Sequence, residues 1–149
     1  MSLPAASTNG FLPPGVHQGT LEEIAQRFAI STARRQLLMN RLRQLLTLAR
    51  STGQLRRAFV WGSFVTEKPF PRDLDLFLLM AEDFDRQFAS LPAIERSVFE
   101  HEHARLLFEA DVFWATEAIG EEELSSWLSV YQFSREMVHC GIVEVIFDD

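Results

Sequence analysis

Ala58-Phe59-Val60-Trp61-Gly62-Ser63 and Asp73-Leu74-Asp75-Leu76-Phe77-Leu78-Leu79-Met80 decide the reading of this chain. The first is a short apolar run over 58–61 that stops at a Gly-Ser pair, and the second opens on two aspartates before it turns apolar. Their aliphatic and aromatic content and their length predict two buried strands. The nine residues between them, Phe64–Arg72, contain Pro69 and Pro71 and are predicted as a loop. Side chains at i and i+2 of a strand share a face, so Asp73 and Asp75 project together about 6–7 Å apart, while Leu74 and Leu76 enter the core.

Outward from this pair the chain alternates between strand and helix signals. Toward the C-terminus, Phe84–Leu91 is predicted helical with Asp83 as a possible cap. A further helix is predicted over about Ile94–Phe108, a third strand over Ala110–Ala115, a helix over Glu121–Val130 and a last strand over Ile142–Phe147. The Glu-rich first turn at 121–123 suits the positive end of a helix dipole. Toward the N-terminus, Thr20 followed by Glu23 is a capping-box pattern before a helix at about 21–28. Ser31 or Thr32 is expected to cap a longer helix that runs to about Ser51 and stops at Gly53. Leu38, Leu42, Leu45, Leu46 and Ala49 form its apolar stripe, and Arg34, Arg41 and Arg43 fall mostly off it, free to stay in water. Residues 1–19 hold three of the six prolines and three of the seven glycines and are predicted as an irregular arm before a single domain over 20–149. Strands separated by helices imply an α/β (α+β) fold, a mixed β-sheet flanked by helices.

The length of 149 residues suits one domain with its own core. An apolar fraction of 47% with 23% charged residues excludes bulk disorder. No apolar run reaches the ~20 residues that cross a bilayer, no secretory signal pattern opens the chain, and a lone Cys140 excludes an internal disulfide, so a cytoplasmic location with no membrane contact is expected. The net charge of −7 is uneven. Residues 1–57 sum to +6 and residues 58–149 to −13, and thirteen of the fourteen cations are arginines, Lys68 being the exception. Such a split is compatible with an anion- or nucleic-acid-binding surface on the Arg-rich helices beside a cation site, and equally with a solvated basic helix face that pairs with acids elsewhere.

Two carboxylates on one strand face repel each other unless a cation joins them, and hard divalent ions such as Mg²⁺ (or Mn²⁺) are held by one or two carboxylates together with substrate phosphates. Asp111, at the start of the apolar run Val112-Phe113-Trp114, is a third candidate ligand or proton acceptor if the fold brings it near, and a strand-end acid facing water if it does not. Gly62 allows close backbone approach, and Ser63 offers a hydroxyl and an N–H to an anion. Lys68 either reaches a phosphate as a point charge or is a solvated loop lysine. Trp61, Phe64 and Phe70 are near enough in sequence to stack on a base. His101 and His103 have the wrong spacing to share one helix face and are expected at the surface; Cys140 beside His139 lacks a supporting acid.

Gly62-Ser63, the loop, Asp73-x-Asp75 and a later strand carboxylate at Asp111 resemble the nucleotidyltransferase superfamily typified by DNA polymerase β. The closer similarity is to a small bacterial family of nucleotidyltransferase-like proteins of undefined function, family 6932. It is carried by Leu12-Pro13-Pro14-Gly15-Val16-His17, by the Thr-Leu-Glu-Glu start of the following helix, by Gly62-Ser63-Phe64-Val65-Thr66-Glu67-Lys68-Pro69-Phe70-Pro71-Arg72-Asp73-Leu74-Asp75, and by Gly141-Ile142-Val143-Glu144. The resemblance implies a minimal nucleotidyltransferase fold, with Gly62 and Ser63 on the triphosphate and Asp73, Asp75 and Asp111 on Mg²⁺. It implies transfer of a nucleotidyl group from a nucleoside triphosphate (NTP) to a protein or nucleic-acid hydroxyl. Larger members add a helical domain that grips base or acceptor, for which this length leaves no room. The alternative is therefore a non-catalytic binding protein of the same fold, such as the antitoxin-like partner of a toxin.

Overall fold

The computed structural model describes residues 3–147. In chain order the elements are β1 (Gly15–Thr20), α1 (Leu21–Phe28), α2 (Ala33–Ser51), β2 (Leu55–Trp61), β3 (Leu74–Met80), α3 (Phe84–Gln87), α4 (Ala93–Arg96), α5 (His101–Phe108), β4 (Ala110–Thr116), α6 (Gly120–Tyr131) and β5 (Gly141–Ile146). The strands form one mixed sheet in the order β1-β5-β2-β3-β4. β1 pairs with β5, and β3 with β4, in parallel; β2 is antiparallel to both β5 and β3. The parallel β3–β4 pair needs a crossover, which the segment containing α3, α4 and α5 supplies. No helix among the described residues is long and apolar enough to cross a membrane.

Both faces of the sheet are covered, and strand alternation divides the core. Leu74, Leu76, Leu78 and Met80 of β3 join Ala58 and Val60 of β2 and the α2 stripe Leu38, Leu42, Leu45, Leu46 and Ala49, all fully buried. Phe77 and Leu79 turn to the other face and pack with Phe59, Ile142, and Leu124 and Leu128 of α6. Asp75 lies on this second face, at the strand end.

Local signals were accurate at the starts of α1 and α2. Thr20 Oγ1 accepts from the Glu23 N–H, and Glu23 Oε1 accepts from the Thr20 N–H, a complete capping box. Thr32 caps α2 through the Arg35 N–H. Four expectations change. First, the segment to residue 19 is not irregular throughout: Gly15–Thr20 is an edge strand in register with Gly141–Ile146. Residues 1–2 of that arm, and 148–149 of the assigned domain, lie outside the described residues. The arm is tied down by backbone chemistry, with the Gly141 N–H donating to Leu12 O at 2.9 Å and the Gly15 N–H to Gln132 Oε1 at 2.8 Å. Second, β3 begins at Leu74, so Asp73 stands just before it. Third, Asp83 makes no cap hydrogen bond, and only Phe84–Gln87 is α-helical before a 3₁₀ turn at Phe88–Ser90. Fourth, the helix expected over 94–108 is broken. Ser97–Phe99 is a 3₁₀ turn and Glu100 is extended. The Phe99 carbonyl accepts from Trp114 Nε1 at 3.1 Å, which draws it away from a helical ladder.

Candidate metal centre

Asp73, Asp75 and Asp111 come together at one end of the sheet. Each offers a carboxylate oxygen, those atoms lie within 4.8 Å of one another, and all three residues are partly buried. The topology explains the meeting. Parallel pairing sets Asp75 directly across from Asp111, and neighbouring strands are about 4.8 Å apart. The start of β3 is fixed by the Leu74 N–H, which donates to Glu109 O at 2.9 Å, one residue before β4. Asp73 therefore faces the same junction from the loop side.

Gly62 forms the wall against Asp75. Its backbone, at φ 82° and ψ −162°, lies in a region essentially reserved for glycine. A Cβ there would overlap Asp75 Oδ2. The Gly-Ser turn and the carboxylate are thus in direct contact, across the antiparallel pair that matches Trp61 with Asp75. Ser63 opens a 3₁₀ turn, Ser63–Val65, and its carbonyl accepts from the Thr66 N–H and Thr66 Oγ1.

The loop between Ser63 and Asp73 is held by two consecutive arginines, Arg34, which the helical pattern left in water, and Arg35. Arg35, 2% exposed, donates from Nε to Lys68 O at 2.9 Å, from Nη1 to Phe64 O at 2.6 Å and Phe28 O at 3.1 Å, and from Nη2 to Thr66 O at 2.6 Å, with further contacts to Ser63 O and Lys68 O. Its burial lowers the guanidinium pKa from the ordinary value. Arg34 donates from Nε to Pro71 O at 3.0 Å, from Nη2 to Arg72 O, and from Nη1 to Glu109 Oε1 at 2.9 Å. Lys68 is exposed, and it is its carbonyl that takes part in this network.

Electrostatics at the centre are strained. Burial raises the Asp75 pKa to about 7, with the charges of Asp73 and Asp111 adding to it and those of Arg135 and Arg105 opposing it. Asp73 is raised by burial and by Asp111, against the pull of Arg105, Arg135 and Arg72. Two cations were missed from sequence, and His101, expected only at the surface, also borders the centre. Arg105 Nη1 donates to Asp111 Oδ1 and lies 3.8 Å from Asp73 Oδ2. His101 Nε2 lies 4.0 Å from Asp111 Oδ1. Arg135 belongs to the loop after α6. A signal for Arg105 did exist: it sits in the last turn of the helix that feeds β4, so it must lie near the first residues of that strand.

The aromatic candidates separate. Phe64 is fully buried against Phe28 and is core, not a base platform. Trp61 stacks on Tyr131, centroids 3.8 Å apart, so that face is taken. Phe70 is 70% exposed. Phe113, two residues along β4 from Asp111, is exposed beside Trp61 at 5.9 Å. Cys140 is buried, which pushes its thiol pKa up and disfavours a nucleophilic thiolate.

A family of unknown function, DUF6932, matches residues 4–146. The chain belongs to that family. The match takes in every residue of the centre and both terminal motifs, Leu12–His17 and Gly141–Glu144. No curated protein matches the chain, and no solved structure does.

The donor set of this DUF6932 chain suits a hard divalent ion. All three donors are carboxylates, and their mutual repulsion is the kind of unfavourable charge that Mg²⁺ or Mn²⁺ relieves.

Proposed function

We propose that this DUF6932 protein is a metal-dependent nucleotidyltransferase that moves a nucleotidyl group from an NTP to a protein or nucleic-acid hydroxyl. The observation that carries the reading is the convergence of Asp73, Asp75 and Asp111 within 4.8 Å, beside a Gly-Ser turn packed on Asp75. Asp73, Asp75 and Asp111 would hold Mg²⁺ or Mn²⁺. Bound there, the ion would neutralise charge on the phosphate oxygens and favour ionisation of an attacking hydroxyl. Gly62 keeps the wall beside Asp75 free of a side chain, so a phosphate can approach. Ser63 presents its hydroxyl at the same turn. A carboxylate within hydrogen-bond reach of the incoming hydroxyl accepts its proton. Arg34 and Arg35 fix the loop, so that Ser63 and Asp73 keep their separation.

The test is incubation of the protein with labelled NTP, Mg²⁺ and cell lysate. Label is expected on a macromolecular acceptor with the unaltered chain and not with Asp73→Asn/Asp75→Asn. Equal labelling by both proteins, or none by either, would count against catalysis.

One feature favours a second reading, a non-catalytic partner-binding protein such as an antitoxin. The end of α6 and the loop after it expose Val130 (67%), Phe133 (45%) and Met137 (74%). Co-purification with a small toxin, together with loss of that complex in Met137→Asp, is the outcome this reading expects.

A further inference from the structure

The arginines of this molecule fall into two kinds. Arg34 and Arg35 each commit all three guanidinium nitrogens to protein oxygens. Arg57 forms a two-point pair with Glu144, Nε to Oε2 at 2.8 Å and Nη2 to Oε1 at 3.0 Å. These are structural groups. Arg105 is of the other kind. Its side chain is 50% exposed on α5, and only Nη1 is engaged, with Asp111 and, more distantly, Asp73. Its Nε and Nη2 find no acceptor among the described residues. The guanidinium edge that matches a phosphate is therefore free, at the rim of a carboxylate cluster.

We infer that Arg105 couples the two ligands of this centre, so that a divalent cation binds well only together with a polyphosphate. The inference rests on the metal-dependent reading above. An ion that takes the Asp111 oxygen must displace the guanidinium from it. The displaced group remains beside a dication and repels it, and the charge of Arg135 already acts on Asp73 and Asp75 in the same sense. Three carboxylates face the guanidiniums of Arg105 and Arg135, with Arg72 acting on Asp73 as well, so formally no net negative charge is left to balance a dication. A polyphosphate reverses the balance: its oxygens ligate the ion and give the free edge of Arg105 a partner. Each ligand then improves the site for the other, which is reciprocal coupling. Arg105 acts here as a positioning residue for the phosphate chain.

Calorimetric titration of the full chain tests this, with Mn²⁺ alone and with preformed Mn²⁺–tripolyphosphate. Arg105→Gln is expected to bind Mn²⁺ alone about tenfold more tightly, and Mn²⁺–tripolyphosphate about tenfold more weakly, than the unaltered chain. General loosening of the fold would weaken both, so the opposite signs are diagnostic. Arg105→Lys keeps the charge without the planar edge. It is expected to hold Mn²⁺ alone near the original affinity while still losing tripolyphosphate. An Arg105→Gln protein that binds Mn²⁺ no more tightly, or its tripolyphosphate complex no more weakly, overturns the coupling and leaves the metal-dependent reading standing. An unaltered chain that binds neither probe overturns both.

Discussion

Gly62 is confined twice, by a backbone conformation that other residues rarely adopt and by the Asp75 carboxylate against its Cα. Gly62→Ala is expected to cost on the order of 2 kcal/mol from the backbone alone and to push Asp75 aside. Chemical denaturation and Mn²⁺ titration should both register it, the second as weaker binding. Asp75 itself makes stability depend on pH. Its folded pKa is about 7 against an ordinary 3.8. Below about pH 4 folded and unfolded chains are both protonated there, and the group has no effect. As pH rises from about 4 to about 7 the unfolded chain has released the proton while the folded one retains it, so stability falls. Above about 7 the loss is complete, on the order of 4 kcal/mol. Asp75→Asn should therefore melt higher than the unaltered chain at pH 8 and equally at pH 4, in the absence of divalent ions. Saturating Mn²⁺ should raise the melting temperature of the unaltered chain at pH 8 far more than that of the variant. A gap between the two proteins that stays constant with pH would contradict this account.

At the scale of elements, the start of α2 does more than cover the sheet. Its first turns carry Arg34 and Arg35, which grip the 63–72 loop by its carbonyls and so set the distance between Ser63 and Asp73. Arg35→Ala would leave several buried carbonyls without a donor, and a loss of about 3 kcal/mol or more is expected. Arg35→Lys should recover little, because an ammonium cannot reach acceptors spread around a planar fork. Thermal melts and limited proteolysis within 63–72 check both variants. The element scale also separates what was legible from what was not. The capping box at Thr20 and Glu23 and the stripe through Leu38, Leu42 and Leu45 are local patterns, and they could be read directly. The nearness of Asp73 to Asp75 was expected from the strand period, but Asp73 stands just before β3 and reaches the junction from the loop side. Arg34 and Arg35 could not be read the same way, since most of their acceptors are main-chain oxygens roughly thirty to forty positions later, which no side-chain pattern marks. The break at Glu100 was hidden for a similar reason: it depends on where the Phe99 carbonyl and Trp114 meet in space.

Across the whole molecule, Asp111 could be suspected from its place at the head of an apolar run, but only the parallel β3–β4 pairing brings it to Asp75. β1 was illegible because Gly-Val-His-Gln-Gly-Thr carries weak strand character, and its partner lies at the other end of the described chain. That pairing has a mechanical role. Removal of residues 1–19 should lower the melting temperature and leave β5 as an open edge, seen as self-association in size-exclusion chromatography.

The same arrangement bears on how the molecule is made. β5 lies between β1 and β2, yet it is the last of the five strands to be synthesised. Until it emerges from the ribosome, β2–β3–β4 has an open flank at β2 and β1 has nothing to join. The carboxylate end can assemble early, from β3 and β4 and the helices between them. The sheet can close only when Gly141–Ile146 fills the remaining gap, so in a nascent chain every strand of the candidate site is synthesised before the strand that completes the sheet.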